Sequence, residues 1–169
     1  VLDKTCFYPE GGGQASDIGH LDNSKVSDVQ IVKGVIFHIS ETSFEVGSKI
    51  TAKINANHRR QLMDHHTAVH VVGGACRRIL GPHIYQAGAN KTVESARLDI
   101  THHSRLTREE LDEIEQMANQ VLREISHTEK EELNRKEADQ IYGFDLYQGG
   151  APEGSAIRIL KIGDQGIQT

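Results

Sequence analysis

The residues of this sequence best suited to chemistry are two histidines four positions apart, in the run His66-Thr67-Ala68-Val69-His70. On a helix an i, i+4 pair shares one face and can reach a single ion, and neutral imidazole is a good zinc ligand. Zinc takes about four ligands, or three and a water, so His66 and His70 make up half of a site. With ten histidines in the chain the same spacing also arises by chance, and a pair of core histidines that merely hydrogen-bond is the plainer alternative. His65 projects about 100° away from His66 around a helix and is assigned to solvent or to a supporting role. Metalloprotease zinc helices carry a Glu directly after the first His as the base; Thr67 stands there instead, which disfavours peptidase chemistry. A further cluster, His102-His103, follows an extended segment in which neighbours face opposite ways, and it is read as structural.

A second candidate is the loop Phe7-Tyr8-Pro9-Glu10-Gly11-Gly12-Gly13-Gln14, followed by Asp17 and Gly19. It lacks the Lys-Ser/Thr ending of a phosphate-binding P-loop and no helical pattern follows it, which argues against nucleotide triphosphates. Gly11, Gly12 and Gly13 let the backbone adopt positive φ and let a large partner approach closely. On composition alone the plainer reading is a tight β turn beside a packed Phe-Tyr. Net charge is −5, which by itself argues against a nucleic-acid partner, but the charge is unevenly spread. Residues 57–97 carry a balance of +4 and residues 98–153 one of −8. The cations of the positive stretch, Arg59, Arg60, Arg77, Arg78, Lys91 and Arg97, are candidate phosphate contacts, with solvated helix faces as the ordinary alternative.

These groups need elements to hold them. Over residues 26–55 apolar positions alternate: Val29 and Ile31, a Lys33-Gly34 turn, then Val35, Phe37 and Ile39, and after Gly47 come Ile50, Ala52 and Ile54. That period describes a small antiparallel β unit. From Asn57 to Leu80 there is no proline, and Leu62, His66, Val69, Gly73, Cys76 and Leu80 recur at three and four, so a helix of about six turns is expected, ended by Gly81-Pro82. Residues 83–100 are expected to form a hairpin presenting Gln86 and Asp99. Thr107-Arg108-Glu109-Glu110 is a capping box opening an amphipathic helix with Leu111, Ile114, Met117 or Ala118, Val121 and Ile125 on its stripe. A short helix near residues 135–141 and closing strands at 156–162 and 166–169 complete the expectation.

The chain of 169 residues is long enough for a sizeable core, and no stretch approaches the roughly 20 apolar residues of a membrane span. Two cysteines, Cys6 and Cys76, make no disulfide framework and point to an intracellular setting with free thiols. The opening Val1-Leu2-Asp3, with neither initiator Met nor leader, reads as a piece of something longer.

Taken jointly the motifs resemble one family across essentially the whole chain. Asp3-Lys4-Thr5, Phe7 through Gln14, Asp17 and Gly19 resemble the glycine-rich motif of alanyl-tRNA synthetases and of their free-standing relatives, the AlaX proteins. The run 65–70, Leu80-Gly81, Gln86-Ala87-Gly88, Ala96 through His102, Tyr142-Gly143-Phe144 and Leu146-Tyr147-Gln148-Gly149-Gly150 resemble the editing core of the archaeal synthetases. The resemblance implies an α+β architecture: a small N-terminal antiparallel β barrel over residues 1–56, then an editing core over 57–169 with a helix packed on an antiparallel sheet. It implies a cytoplasmic hydrolase that removes serine or glycine from mischarged tRNA for alanine, as part of a synthetase whose remaining chain supplies most tRNA recognition. Gln86 and Asp99 fall to the catalytic pocket, Gly11 through Gln14 to the tRNA end. His66 and His70 become zinc ligands, their two partners belonging to a Cys-x-x-x-His motif expected just beyond Thr169, so that the chain is expected to be cut before it. The rival expectations are a free-standing AlaX protein and a non-catalytic tRNA-binding module; the editing domain of threonyl-tRNA synthetase fits less well, since no glycine-rich β domain is expected there.

Overall fold

The computed structural model describes residues 1–125, 128–147, 154–162 and 167–168. The chain packs as two compact units, Val1–His66 with Ala89–Arg97, and Thr67–Gly88 with Leu98–Thr169. Helix α1 (Ala56–Leu80) and the hairpin of β5 (Gln86–Lys91) and β6 (Ala96–Ile100) each contribute to both.

The first unit is built on strands β1 (Gly19–Leu21), β2 (Ser24–Val32), β3 (Val35–Ser40) and β4 (Ala52–Ile54), in the order β3-β2-β1-β4 with every pair antiparallel. The Lys33-Gly34 turn is as expected: both residues have positive φ, 49° and 80°, as a two-residue hairpin matched to strand twist requires. The expected barrel is not what the described strands form. β3 and β4 are the edges of an open sheet, because β1 and β4 span three residues each and residues 41–51 add no strand, leaving too little ladder to close the curve. The alternation also presents an unexpected face: Ile31, Val35, Phe37 and Ile39 are 41–51% exposed, while Val26 and Val29, with Phe7 and Leu21, form the core. A register shift between Val26 and Asp28 explains how residues three apart on β2 face the same way. Asp28 Oδ1 pins the bulge by accepting from Val29 N at 2.8 Å and from Ser16 Oγ at 2.7 Å.

In the second unit the C-terminal half of α1 buries Val71, Ala75 and Cys76 against Ile114 and Ala118 of α2 (Arg108–Glu124) and Ile162 of β8 (Ala156–Ile162). β8 sits centrally in an antiparallel sheet between β7 (Thr128–Asn134) and β9 (Ile167–Gln168), and α3 (Arg135–Tyr142) covers it through Ala138 against Ile157 and Ile159. Helices on antiparallel sheets make this an α+β fold, as the sequence led us to expect. Cys6 is an exposed free thiol and Cys76 a buried one whose pKa burial pushes up. No helix among the described residues is long and apolar enough to cross a membrane.

Helix ends follow local chemistry. Asn55 Oδ1 accepts from His58 N at 3.1 Å at the start of α1, and Gly81, at φ 116°, ends it by donating to Arg77 O. Both halves of the α2 capping box are present: Glu110 N donates to Thr107 Oγ1 and Thr107 N to Glu110 Oε2. T107A is expected to lower stability by about 1 kcal/mol and T107S to restore most of it, read from urea midpoints at unchanged slope. An unmoved midpoint in T107A would show that the box is not holding the helix.

Candidate functional site

The glycine loop is a tight turn docked on its own chain. Gly11 and Gln14 exchange both backbone hydrogen bonds, at 3.1 and 3.0 Å, and the two residues between them, Gly12 and Gly13, have φ of 57° and 70°. The turn then lies along the end of β5: Lys91 N donates to Gly13 O at 2.7 Å and Ala15 N to Lys91 O at 3.0 Å. A Cβ on Gly13 would sit 2.3 Å from Ala89 O, so this approach of backbone to backbone requires glycine there. Lys91, 2% exposed, donates from Nζ to Gly12 O at 2.8 Å, and its burial lowers its pKa. Desolvation disfavours the ammonium, so the lysine holds the turn from beneath.

Gln14, only 5% exposed, links this turn to α1, where its Oε1 accepts from His66 Nδ1 at 2.8 Å. In a neutral ring, a hydrogen held on Nδ1 puts the lone pair on Nε2, the arrangement that an imidazole needs in order to ligate a metal. His70 follows one turn later on the unbroken helix, half-buried like His66. His65 turns instead to the connection between β5 and β6, its Nδ1 donating to Thr92 O at 2.6 Å, with Gln61 Nε2 2.9 Å from its Nε2.

Arg59 and Asp17, 42 positions apart, form a pair that no local pattern announces. The Asp17 carboxylate, 1% exposed, accepts from Tyr8 N at 2.7 Å and from Arg59 Nε at 2.8 Å, with Arg59 Nη2 in closer contact. That hydrogen bonding raises the pKa of Arg59, and Nη2 also donates to Cys6 O. Of the six cations considered for phosphate, Arg59 and Lys91 are thus built into the first unit, and Arg77 donates to Ile84 O and lies over the Tyr85 ring in the second. Arg60, paired to Asp64 at 3.0 Å, is exposed, as are Arg78 and Arg97.

Gln86 opens β5 and Asp99 lies on β6, both half-buried. The Asp99 carboxylate lies over Gly88, where an added Cβ would come within 2.9 Å of Oδ2. The Tyr142 motif serves packing: Tyr142 OH and Lys161 both meet the Glu131 carboxylate, lowering its pKa, and Tyr147 OH donates to Asp139. Gln148, Gly149 and Gly150 lie outside the described residues, as does the segment 163–166 ahead of the expected zinc motif.

Comparison with known proteins extends these observations. Residues 1–58 match the family model for class II (A) tRNA synthetases. The chain is 46% identical over 168 residues to an alanine-tRNA ligase of Natronomonas pharaonis, covering 97% of this chain and 18% of that protein. The alanine-tRNA ligase of Methanosarcina acetivorans is 47% identical over 173 residues, covering 97% and 19%, and that of Methanopyrus kandleri 44% identical over 173 residues, covering 99% and 19%. The chain therefore spans about a fifth of the length of the relatives it matches. Over nearly its whole length it is homologous to one segment of the alanine-tRNA ligases.

Proposed function

We propose that this chain is the editing region of an alanine-tRNA ligase and that it hydrolyses the ester joining serine or glycine to the 3′ end of the tRNA for alanine. The observation that carries the reading is the Gln14–His66 link: a buried amide of the glycine turn orients the first of two imidazoles one helical turn apart. The homology to a ligase segment supplies the context in which such a device has a use. A small pocket shaped for alanine rejects serine only weakly, and a second site that hydrogen-bonds the serine hydroxyl supplies the missing discrimination. Polar groups left unpaired by alanine in that second site penalise it by about 1–3 kcal/mol each.

In this reading Gln86 pairs the hydroxyl of misattached serine, and Asp99 accepts a hydrogen bond from the substrate's ammonium group. The turn at Gly11, Gly12 and Gly13 lies beside the terminal adenosine, and exposed Arg60, Arg78 and Arg97 meet phosphates. His66 and His70 suit zinc as two imidazoles one helical turn apart, the first of them held at Nδ1 by Gln14. The remaining two ligands are assigned to a Cys-x-x-x-His motif outside this sequence. When bound, zinc supplies a Lewis acid that lowers the pKa of a water or holds the substrate in place. The partners are mischarged tRNA and the rest of the ligase, and the setting is the cytoplasm, where translation runs.

The test is release of serine from seryl-tRNA for alanine by the full-length ligase carrying this chain, with zinc present. H66A should lower the rate by at least about 100-fold and Q14A by about 10-fold, since supporting partners of metal-bound histidines carry effects of that order. Binding of the tRNA with its ester left intact would make the chain a non-catalytic tRNA-binding module. The same hydrolysis by a short, separate chain in the parent organism would favour an AlaX protein.

A further inference from the structure

Three other imidazoles converge in the second unit. His83 lies just ahead of β5, and His102 and His103 lie just past the end of β6. Alternation along a strand does not govern His102 and His103, because β6 stops at Ile100 and the chain bends at residues 103–104, turning both rings towards His83. One ring nitrogen from each of the three lies within 4.8 Å of those of the other two. His83 Nε2 and His102 Nδ1 are 2.9 Å apart. Their ring centroids are 5.2 Å apart with planes 24° from parallel, a separation that two ring radii and one hydrogen bond account for, so the rings meet edge to edge. The His103 centroid is 4.4 Å from that of His102 and 5.6 Å from that of His83.

The backbone beneath holds this arrangement. Thr101 Oγ1 donates to His83 O at 2.8 Å and accepts from Tyr85 N at 2.8 Å, while Thr101 N donates to Tyr85 O. The His83 ring is confined on its other side, with Nδ1 3.3 Å from where a Cβ on Gly81 would stand. In the His83–His102 contact one proton occupies the gap between two nitrogens. A divalent ion in place of that proton turns one hydrogen bond into two coordination bonds. Zinc–nitrogen distances of about 2.0–2.1 Å in a tetrahedral site put ligand nitrogens about 3.3 Å apart, so His83 and His102 need only part by a few tenths of an ångström. His103 is exposed and has room to swing in as the third ligand.

We infer that His83, His102 and His103 form a metal site of their own for a borderline divalent transition ion such as zinc, with one coordination position open to water. A donor set of imidazoles alone selects zinc, copper or nickel over calcium or magnesium, which take oxygen ligands. A bound ion ties the entry of β5 to the exit of β6 and so fixes the segment that leads into α2. This site uses none of the residues assigned to editing and stands or falls apart from that assignment.

The test is zinc binding by this chain freed of any histidine tag, with zinc ion alone as the probe, counted by elemental analysis after dialysis. An H66A/H70A chain is expected to retain one zinc, and the ring Cε1–H resonances of His83, His102 and His103 are expected to shift on titration. Adding H102A or, separately, H83A should weaken that binding by at least about 10-fold. Circular dichroism verifies that each variant is folded, and the exposed His83 provides the milder substitution should H102A disturb the loop. Zinc affinity in the H66A/H70A chain that is unchanged by both H83A and H102A, or no zinc bound at large molar excess, would overturn the site and leave three rings held only by hydrogen bonding and ring contacts.

Discussion

D17A is expected to destabilise the chain by about 3 kcal/mol, the low end of the range for removing one partner of a buried ion pair. The aspartate is almost wholly buried and takes hydrogen bonds from the Tyr8 amide and from two nitrogens of Arg59. Its loss leaves the Tyr8 N–H without that acceptor and strands a half-buried guanidinium with Cys6 O. Arg59 keeps 27% of its side chain exposed, so water screens part of the stranded charge, which is why the low end applies. R59K should lose about half as much, since an ammonium keeps the charge but not the planar fork that grips both carboxylate oxygens. A double-mutant cycle should show D17A and R59A to be strongly non-additive. Urea midpoints report all of these values; D17A within about 0.5 kcal/mol of the parent, the range of an ordinary surface substitution, would mean that the pair does not anchor the glycine segment to α1.

G13A should undock the glycine turn, whereas G12A should not. Both positions have left-handed φ, which burdens any L-residue by about 1–2 kcal/mol. Only at Gly13 would the new methyl also meet backbone, at 2.3 Å from Ala89 O, and no rotamer change can relieve a clash between two main chains. At Gly12 the nearest atom is Tyr8 OH at 4.0 Å, an ordinary distance. Amide hydrogen exchange should therefore show Lys91 N–H and Ala15 N–H losing protection in G13A and keeping it in G12A, because those two amides are the bonds between turn and strand. Since Gln14 moves with the turn, the proposed editing role further requires G13A to depress seryl-tRNA hydrolysis by a factor of the same order as Q14A, about 10-fold. Equal exchange behaviour in the two variants would show that the close approach at Ala89 is not what makes the glycine necessary.

Features set by residues a few positions apart were legible from the chain. The α2 capping box joins residues three apart, the Lys33-Gly34 turn joins neighbours, and α1 announced itself by its three-and-four recurrence and its Gly81 stop. β8 was legible from its run of apolar and β-branched residues, in which Ile157 and Ile159 alternate onto one core and Ile162 falls to the other. Its partner β7 was not: Thr128-Glu129-Lys130-Glu131-Glu132-Leu133-Asn134 has almost no apolar signal, since an edge strand turns its charges to solvent and borrows its ladder from β8. The open sheet in place of a barrel, and the solvent-facing side of β2 and β3, likewise depended on pairings that no local period encodes.

The candidate site divides along the same line. Helix periodicity alone put His66 and His70 on one face and the glycine spacing alone demanded a tight turn, because both rest on backbone geometry within a few residues. Which group would orient His66, where Arg59 and Lys91 would spend their charge, and that His83 would meet two histidines from the far side of a hairpin were decided by tertiary packing. Each of these brings together groups tens of residues apart in the chain or around a turn, and such meetings follow from sheet register and helix docking, to which a single side chain's neighbours in sequence contribute almost nothing.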